Sequence, residues 1–542
     1  MLRRRHVGRV SFAEANDLQR ALVQSGDDYV LLMEHPPTYT KGVRTLDEHF
    51  LVDPASLDAV VVDADRGGDV TYHAPGQVVA WAIVSVADDP ASGKVHVARL
   101  EDAVIATVRA VDPGGILGLV GRLDGYPGVW AHLEDSPSKI AAVGVRTERN
   151  EHGARRTMHG VALNVDIDMS GFAVIVPCGI GDKPVASLAS LGLSVTPLEV
   201  EERLGDELCA RLGAEVRTAR VDRGASEPSA ERPLLRRLRK AGVDPDAGIS
   251  IRSRKPEWLR IEAHMGNEYQ SLRTLTEDLR LVTVCEEAGC PNIFECWASG
   301  TATFMVNGER CTRACGFCLI DTRKPLPLDP TEPERVAEAV VRLKLRHAVV
   351  TCVARDDLAD GGAGAIAATV RAIRERSPET NVEVLISDLK GDPDALQLIL
   401  DTRPDVMNHN IESVARLQRA IRPSAGYLRS LTILARSVQA GLTTKSGMMV
   451  GLGEDADEVE ETLADLAAVG VSIVTIGQYL RPTVDHLPVA RWWDPSEFDD
   501  LAERGHRLGL AHVQASPLTR SSYHAREALS DATLVGPPVR RS

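Results

Sequence analysis

The chain has 542 residues, 44% hydrophobic and 26% charged, with a formal net charge of −15. That length predicts two or three domains, and the acidic balance argues against a nucleic-acid partner, which needs a basic surface. No run of about 18 apolar residues is present, so no membrane-spanning helix is predicted. The start, Met1-Leu-Arg-Arg-Arg-His6, is basic without an apolar run behind it, which predicts no secretory signal and a cytoplasmic protein.

Along the chain, Tyr29–Glu34 and Val78–Val86 are rich in apolar and β-branched residues, as strands are. Val97–Val111 has helical spacing, with Val97, Leu100, Val104 and Val108 on one stripe. Ile140–Glu148 and Thr157–Asp166 read as two strands joined by a turn at Asn150-Glu-His-Gly153, and Leu198–Leu212 as an amphipathic helix. Asp222–Glu231 is polar, carries Gly, Ser and Pro, and reads as a linker. The basic run Arg232–Lys240 reads as a solvated helix face in an arm ending near residue 252. The predicted domains are therefore 1–221, a linker and arm at 222–252, and 253–542.

The second half alternates strand and helix. Strands are predicted at Thr303–Asn307, Ala348–Val353, Val382–Ser387, Val406–Ile411, Lys445–Val450 and Ile473–Tyr479. Helices such as Glu334–Leu345, Ala363–Glu375 and Asp455–Val469 fall between them. This alternation implies parallel strands with crossover helices, and six repeats suit a partial (β/α)6 barrel better than a closed eight-fold one. The chain thus reads as an α+β half followed by an α/β half, with chemistry expected on loops at the strands' C-terminal ends.

Six of the nine cysteines fall between Cys285 and Cys318. Such crowding points to metal or redox chemistry rather than disulfides. Cys311, Cys315 and Cys318 form a Cys-x3-Cys-x2-Cys triad directly after a predicted strand. A [4Fe–4S] cluster normally takes four thiolates. Three leave one iron open, able to chelate S-adenosylmethionine and pass it an electron. A structural zinc site would pair Cys-x2–4-Cys with a second pair, and a lone triad does not close that tetrahedron. Cys285, Cys290 and Cys296 form a second triad, Cys-x4-Cys-x5-Cys, also short of a fourth ligand. Near the C-terminus lies Arg520-Ser-Ser-Tyr523, whose serines are by themselves an ordinary solvated turn. Cys352 sits on a predicted strand and reads as a core residue.

Together the two triads and Arg520-Ser-Ser-Tyr523 resemble the lipoyl synthase family of radical-SAM enzymes. The resemblance extends through Arg254-Lys-Pro-Glu-Trp-Leu259, Asn408-His-Asn-Ile-Glu412 and Gly477-Gln-Tyr-Leu-Arg-Pro482. It implies that Cys311, Cys315 and Cys318 bind the SAM-cleaving [4Fe–4S] cluster. Cys285, Cys290 and Cys296 would bind an auxiliary [4Fe–4S] cluster with Ser521 as fourth ligand. It also implies sulfur insertion at carbons 6 and 8 of a protein-bound octanoyl chain, with an electron donor such as ferredoxin or flavodoxin. One departure is Ser516 before Pro517, where the family usually has glycine.

In the first half, Cys178 stands in Val176-Pro-Cys-Gly-Ile180. A lone cysteine is most often a small buried hydrophobe. Flanking Pro and Gly instead suggest an exposed turn, and Lys139, His73 and His159 could supply the cation or base that an active thiolate needs. Arg66-Gly-Gly-Asp-Val-Thr-Tyr-His-Ala-Pro-Gly-Gln77, Lys139-Ile-Ala-Ala-Val-Gly144, His159-Gly-Val-Ala-Leu-Asn164 and Pro177-Cys-Gly179 resemble lipoyl(octanoyl) transferases, whose fold is that of the biotin/lipoate protein ligases. The resemblance implies an acyl-Cys178 intermediate served by Lys139. It implies contacts to substrate from Arg66, Gly67, Gly68, Asp69, Val70, Thr71, Tyr72 and His73, from Ala142, Val143 and Gly144, and from Gly160, Val161 and Ala162. Octanoyl acyl carrier protein and lipoyl-domain carrier proteins are the implied partners. Ala74 replaces a glycine usual in that run, and a required positive φ there would alter the local geometry.

Overall fold

The computed structural model describes residues 1–134, 136–213, 215–221, 232–260, 274–276, 278–283, 292–293, 296 and 301–535. They divide into two compact units, Met1–Arg220 and Val221–Ser542. The linker residues 222–231, Cys285 and Cys290 lie outside the described residues. Among the described residues no helix is long and apolar enough to cross a membrane.

The first unit is built on an eight-stranded sheet of order β11-β1-β2-β6-β10-β9-β8-β7. Its strands are β1 (Leu2–Arg9), β2 (Asp28–Glu34), β6 (Gln77–Ile83), β7 (Gly121–Leu123), β8 (Tyr126–Ala131), β9 (Ser138–Arg149), β10 (Arg155–Asn164) and β11 (Val216–Arg220). The predicted hairpin is present: β9 and β10 pair antiparallel, with Asn150 and Gly153 in the turn. Side chains alternate across the sheet with the period of two expected of strands. Val30, Leu32, Val78, Ala80 and Ala82 join one apolar core with helices α2 (Ser92–Val111) and α3 (Pro197–Leu212). The intervening Trp81 instead stacks edge-on against Phe12 of α1 (Phe12–Val23). A small sheet, β3 (Thr38–Lys41) between β4 (Val60–Asp63) and β5 (Thr71–His73), stands beside these layers.

Strand β1, which the sequence reading did not predict, carries a run of arginines. Arg3, Arg4 and Arg5 are all buried. Arg4 meets Asp206 at 2.6 Å and Arg3 meets Asp27 at 2.7 Å, so the buried charge is paired rather than solvated.

The second unit is an eight-stranded sheet in simple sequential order, β12 to β19. After a short antiparallel β12 (Val282–Thr283) come seven parallel strands. These are β13 (Thr301–Val306), β14 (His347–Cys352), β15 (Asn381–Leu385), β16 (Val406–Asn408), β17 (Thr443–Val450), β18 (Ile473–Gln478) and β19 (His512–Ala515). Six match the predicted strands; β19 adds a four-residue edge whose sequence, His-Val-Gln-Ala, carries almost no periodicity. Among the described residues no strand pairs β12 with β19. Helices α5 (Glu332–Arg342), α6 (Ala363–Arg376) and α7 (Pro393–Leu400) pack on the outer face of β13–β16 around Phe304, Val350, Val382 and Val384. The inner face is polar: Lys445, Glu383, His347 and Asn408 are fully buried there. In the arm, helix α4 (Pro233–Lys240) buries Leu238, and Arg416 donates to the Ala241 carbonyl.

Candidate functional site

Cys178 and Lys139 line one cavity of about 580 Å³ in the first unit. Phe12, Val79, Trp81 and Val161 give it an apolar wall. Lys139 begins β9 and is 4% exposed. Its backbone is clamped to the 184–186 segment, donating to Pro184 at 2.9 Å and accepting from Ala186 at 2.9 Å. The side-chain nitrogen lies 5.8 Å from the Trp130 ring centroid. Gly128 makes room: at φ +111°, a Cβ there would sit 2.8 Å from Lys139 Cε.

Cys178 occupies the left-handed region at φ +57° and ψ +20°. Its N–H donates to the Val70 carbonyl at 2.8 Å, holding the turn against the segment before β5. Arg66, on that segment, lines the same cavity as Cys178. Its guanidinium is fixed by the Thr40 carbonyl at 2.7 Å and the Thr40 hydroxyl at 2.8 Å.

Of the predicted contact residues, Arg66, Gly67, Gly68, Asp69, Thr71 and His73 line the cavity, as do Ala142, Val143, Gly144, Gly160, Val161 and Ala162. Val70 and Tyr72 do not. Strand alternation turns them to the opposite side, where they pack with Tyr39, Ile167 and Phe172. Val70 meets the Cys178 turn through its backbone alone. His73 and His159 also face the cavity. Burial lowers both imidazoles from the ordinary histidine value, against the Asp65 carboxylate 2.8 Å from His159 Nε2, which raises that ring. Ala74 is buried in the same apolar cluster as Val70, at ordinary negative φ, so the missing glycine distorts nothing.

The sequence reading missed His49 and Phe12. Phe12 opens a helix signalled by Ser11-x-x-Glu14, a capping box that is present in the fold. His49 lies in a short 3-10 turn with no such signal.

In the second unit, the Cys311–Cys318 loop follows β13 and is pinned across the C-terminal ends of the next strands. Cys311 N–H donates to Asp321 at 2.8 Å, and Gly316 N–H to Ile421 at 2.8 Å. Arg313, between the first two cysteines, is buried and meets Asp356 at 2.8 Å and Asp388 at 2.6 Å. His486 Nε2 lies 2.9 Å from the Cys318 carbonyl. Ser521 is reached from β16's loop, its hydroxyl accepting from Asn410 Nδ2 at 2.8 Å. Cys296 is buried; its N–H donates to the Asn292 carbonyl at 3.0 Å, while Asn292 Nδ2 donates to Leu518 at 2.7 Å. That pair of bonds ties the Cys296 segment to the tail carrying Ser521. Ser516 closes the tail's turn through its hydroxyl, 2.8 Å from that of Thr519, at ordinary negative φ.

Residues 10–209 match the family model for the lipoyl protein ligase A/B catalytic domain, and residues 305–466 that for the radical SAM superfamily. A lipoyl synthase of Symbiobacterium thermophilum is 51% identical over 308 residues, covering 56% of this chain and 93% of the relative. One from Bacillus subtilis is 52% identical over 283 residues, covering 52% and 95%. The chain belongs to the lipoyl synthase family. Ahead of its lipoyl synthase half it carries an octanoyltransferase-like domain of the lipoyl protein ligase A/B type. A solved bi-partite lipoate protein ligase from Thermoplasma acidophilum matches with 16% identity over 41% of this chain and 88% of that one, at a TM-score of 0.33.

Radical SAM membership brings iron–sulfur and S-adenosylmethionine chemistry to the lipoyl synthase half. The described thiols fit such a group. Burial, with the neighbouring cysteines and Glu412, pushes Cys315 up to about 12 and Cys318 to about 11 against the lowering by Arg422 and the Ile320 backbone. Alone, these thiols keep their protons; coordination to a cationic cluster is what ionises such a set. Among the described residues no three His, Cys, Asp or Glu converge on a single-ion site. A cubane binds each thiolate to a separate iron, so its ligands need not converge on one point.

Proposed function

We propose that the chain performs two consecutive steps of lipoyl assembly. The first unit moves octanoyl from acyl carrier protein to a lysine of a lipoyl-domain protein through acyl-Cys178. The lipoyl synthase half then inserts sulfur at carbons 6 and 8. The observation that carries the first step is that Cys178 and Lys139 line one apolar-walled cavity. The acyl chain lies against Phe12, Val79 and Trp81, away from water. Lys139 takes the Cys178 proton as the thiolate attacks the incoming thioester, and returns it when the thiol leaves. Gly67 and Gly68 let the backbone approach the acyl group.

For the second step, Cys311, Cys315 and Cys318 hold one [4Fe–4S] cluster, and Cys285, Cys290, Cys296 and Ser521 a second. When bound, the first supplies the electron that cleaves S-adenosylmethionine and the second supplies sulfur. The chain's own residues set the geometry. Arg313 fixes the three-cysteine loop on Asp356 and Asp388, and Asn410 orients the Ser521 hydroxyl. A low-potential donor of the ferredoxin or flavodoxin kind delivers electrons.

The test is anaerobic. Purified protein should carry about eight irons per chain, as two four-iron clusters imply. Given octanoyl acyl carrier protein, S-adenosylmethionine and reductant, it should convert a lipoyl domain first to the octanoyl and then to the lipoyl mass. Cys178→Ser should abolish the octanoyl step while leaving conversion of a pre-octanoylated domain intact. Full-rate transfer by Cys178→Ser would refute the acyl-cysteine route.

A further inference from the structure

His73 lines the Cys178 cavity, and both of its ring nitrogens are already taken. Nδ1 lies 2.6 Å from Gln77 Oε1, and Nε2 lies 3.2 Å from the Thr40 hydroxyl. The neighbours settle which nitrogen carries the hydrogen. Gln77 Nε2 donates to the Tyr72 carbonyl at 3.1 Å and to Asn164 Oδ1 at 2.9 Å. A carbonyl can only accept, so the amide cannot be turned round, and its oxygen accepts from His73 Nδ1–H. On the other side, Arg66 donates to the Thr40 hydroxyl oxygen at 2.8 Å, and an arginine can only donate. The Thr40 hydroxyl hydrogen is then left for His73 Nε2. One neutral tautomer satisfies every partner.

The contacts continue past Gln77. Asn164 Nδ2 donates to the Ala186 carbonyl at 3.1 Å, and Ala186 N–H donates to the Lys139 carbonyl at 2.9 Å. A single directed run of hydrogen bonds thus leads from Arg66 through Thr40, His73, Gln77 and Asn164 to the strand start that carries Lys139. The side chains along it are all buried. Its two ends bracket Cys178. Arg66 opens the Arg66–Val70 segment, whose last carbonyl accepts from Cys178 N–H at 2.8 Å, and Ala186 lies on the segment that follows Cys178. A buried network with its members paired is rigid, because breaking one bond strands a desolvated group. Burial, followed by His35, Arg66 and His159, holds the imidazole well below its ordinary value, against the Gln77 bond, which raises it.

We infer that His73 is a positioning residue and not a proton carrier: in its single neutral tautomer it joins the Arg66 side of the Cys178 cavity to the Lys139 side and fixes both cations about the thiol. Thr40, Gln77 and Asn164 act through it without lining the cavity themselves.

The positioning role rests on the acyl-Cys178 reading, and two measurements on the full chain separate their fates. Alkylation by iodoacetamide across a pH series, followed by the mass of the Cys178 peptide, reports the thiolate without any transferase substrate. Intact mass with octanoyl acyl carrier protein reports acylation. Thr40→Val and Gln77→Met keep the side-chain shapes and break the network on either side of His73. Each should move the alkylation profile to higher pH. The rate near neutrality should fall roughly threefold, the thiolate lost when a pKa rises by about half a unit. Acylation should slow about tenfold, as a small misplacement of reacting groups costs. Thr40→Ser keeps the hydroxyl and should recover most of the loss. The double variant should be no slower than the slower single one, because one network is broken only once. Losses that multiply would mark two unrelated contacts and overturn the inference. His73→Asn, whose amide can replace Nδ1–H, should match Thr40→Val in both measurements. A further loss of about 10²-fold, the worth of a positioned base, would show that the ring moves protons and overturn it. Unchanged rates in Thr40→Val and Gln77→Met, whatever their thermal midpoints, would overturn it too. Wild-type protein that alkylates at Cys178 but never acylates there would instead refute the transferase reading, with the alkylation series still deciding the network.

Discussion

Cys178 shows how backbone and chemistry are coupled at single residues. A non-glycine residue in the left-handed region costs of order 1 kcal/mol, and such strain persists where the surroundings over-determine it. Here the Val70 carbonyl and the flanking Pro177 and Gly179 hold the turn, and the sulfur is turned toward Lys139's cavity. Lys139 depends in turn on a residue with no side chain. Gly128→Ala would place a methyl group against Lys139 Cε at a φ that alanine adopts only with strain. The expected outcome is a lower thermal midpoint, from a loss of about 1–3 kcal/mol, and slower acylation of Cys178 measured by intact mass. His73 and His159 are buried in the cavity wall, which lowers both imidazoles from their ordinary value.

At the scale of elements, the parallel sheet of the second unit keeps an ion pair inside. Lys445 Nζ on β17 lies 3.1 Å from Glu383 on β15, and Asn408 Nδ2 on β16 donates to the same carboxylate at 2.7 Å. Burial pushes the Glu383 carboxyl up, but Lys445, His347 and Asn408 outweigh it and hold it at about 2. A depressed carboxyl stabilises the fold above its unfolded value of about 4.3 and loses that contribution as pH falls toward the folded value. The second unit should therefore lose stability between about pH 4.5 and 2. Glu383→Gln should flatten that part of the acid melting curve followed by circular dichroism. Lys445→Met leaves the carboxylate buried without its cation and should cost about 3–5 kcal/mol, with Glu383→Gln in the same chain recovering part of the loss. In the first unit, helix α1 opens with a reciprocal Ser11–Glu14 cap. Ser11→Ala should cost about 1 kcal/mol and, because Phe12 starts that helix and lines the cavity, should also raise the KM for octanoyl acyl carrier protein.

For the whole molecule, fusion places a supplier of octanoyl groups and their consumer on one chain. On the proposed function, the covalent connection of the two halves raises the concentration of a shared carrier near the second site. Cleaving within Asp222–Glu231 should lower coupled lipoyl formation at low carrier concentration and leave each separate step unchanged. Much of this organisation was legible in the amino-acid order. The cysteine spacings, Pro177-Cys-Gly179 and the strand–helix alternation are local, so the radical SAM half and the lipoyl protein ligase-type half could be read without coordinates. Local signals also explain the misses. β1 was not read as a strand, because its arginines find Asp27, Glu202 and Asp206 only in the fold, and β19 is too short to show a period. Val70 and Tyr72 sit inside a motif that lines the cavity, yet the pleat turns their side chains away. Residue identity and spacing, through the family resemblance they carry, pointed to radical SAM chemistry in the second half, as the family match bears out. Only the tertiary structure decided which groups meet: that Lys139 shares a cavity with a cysteine far along the chain, and that Asn410 reaches Ser521. Those pairings depend on strand register and loop closure across many residues, which no short stretch of sequence records.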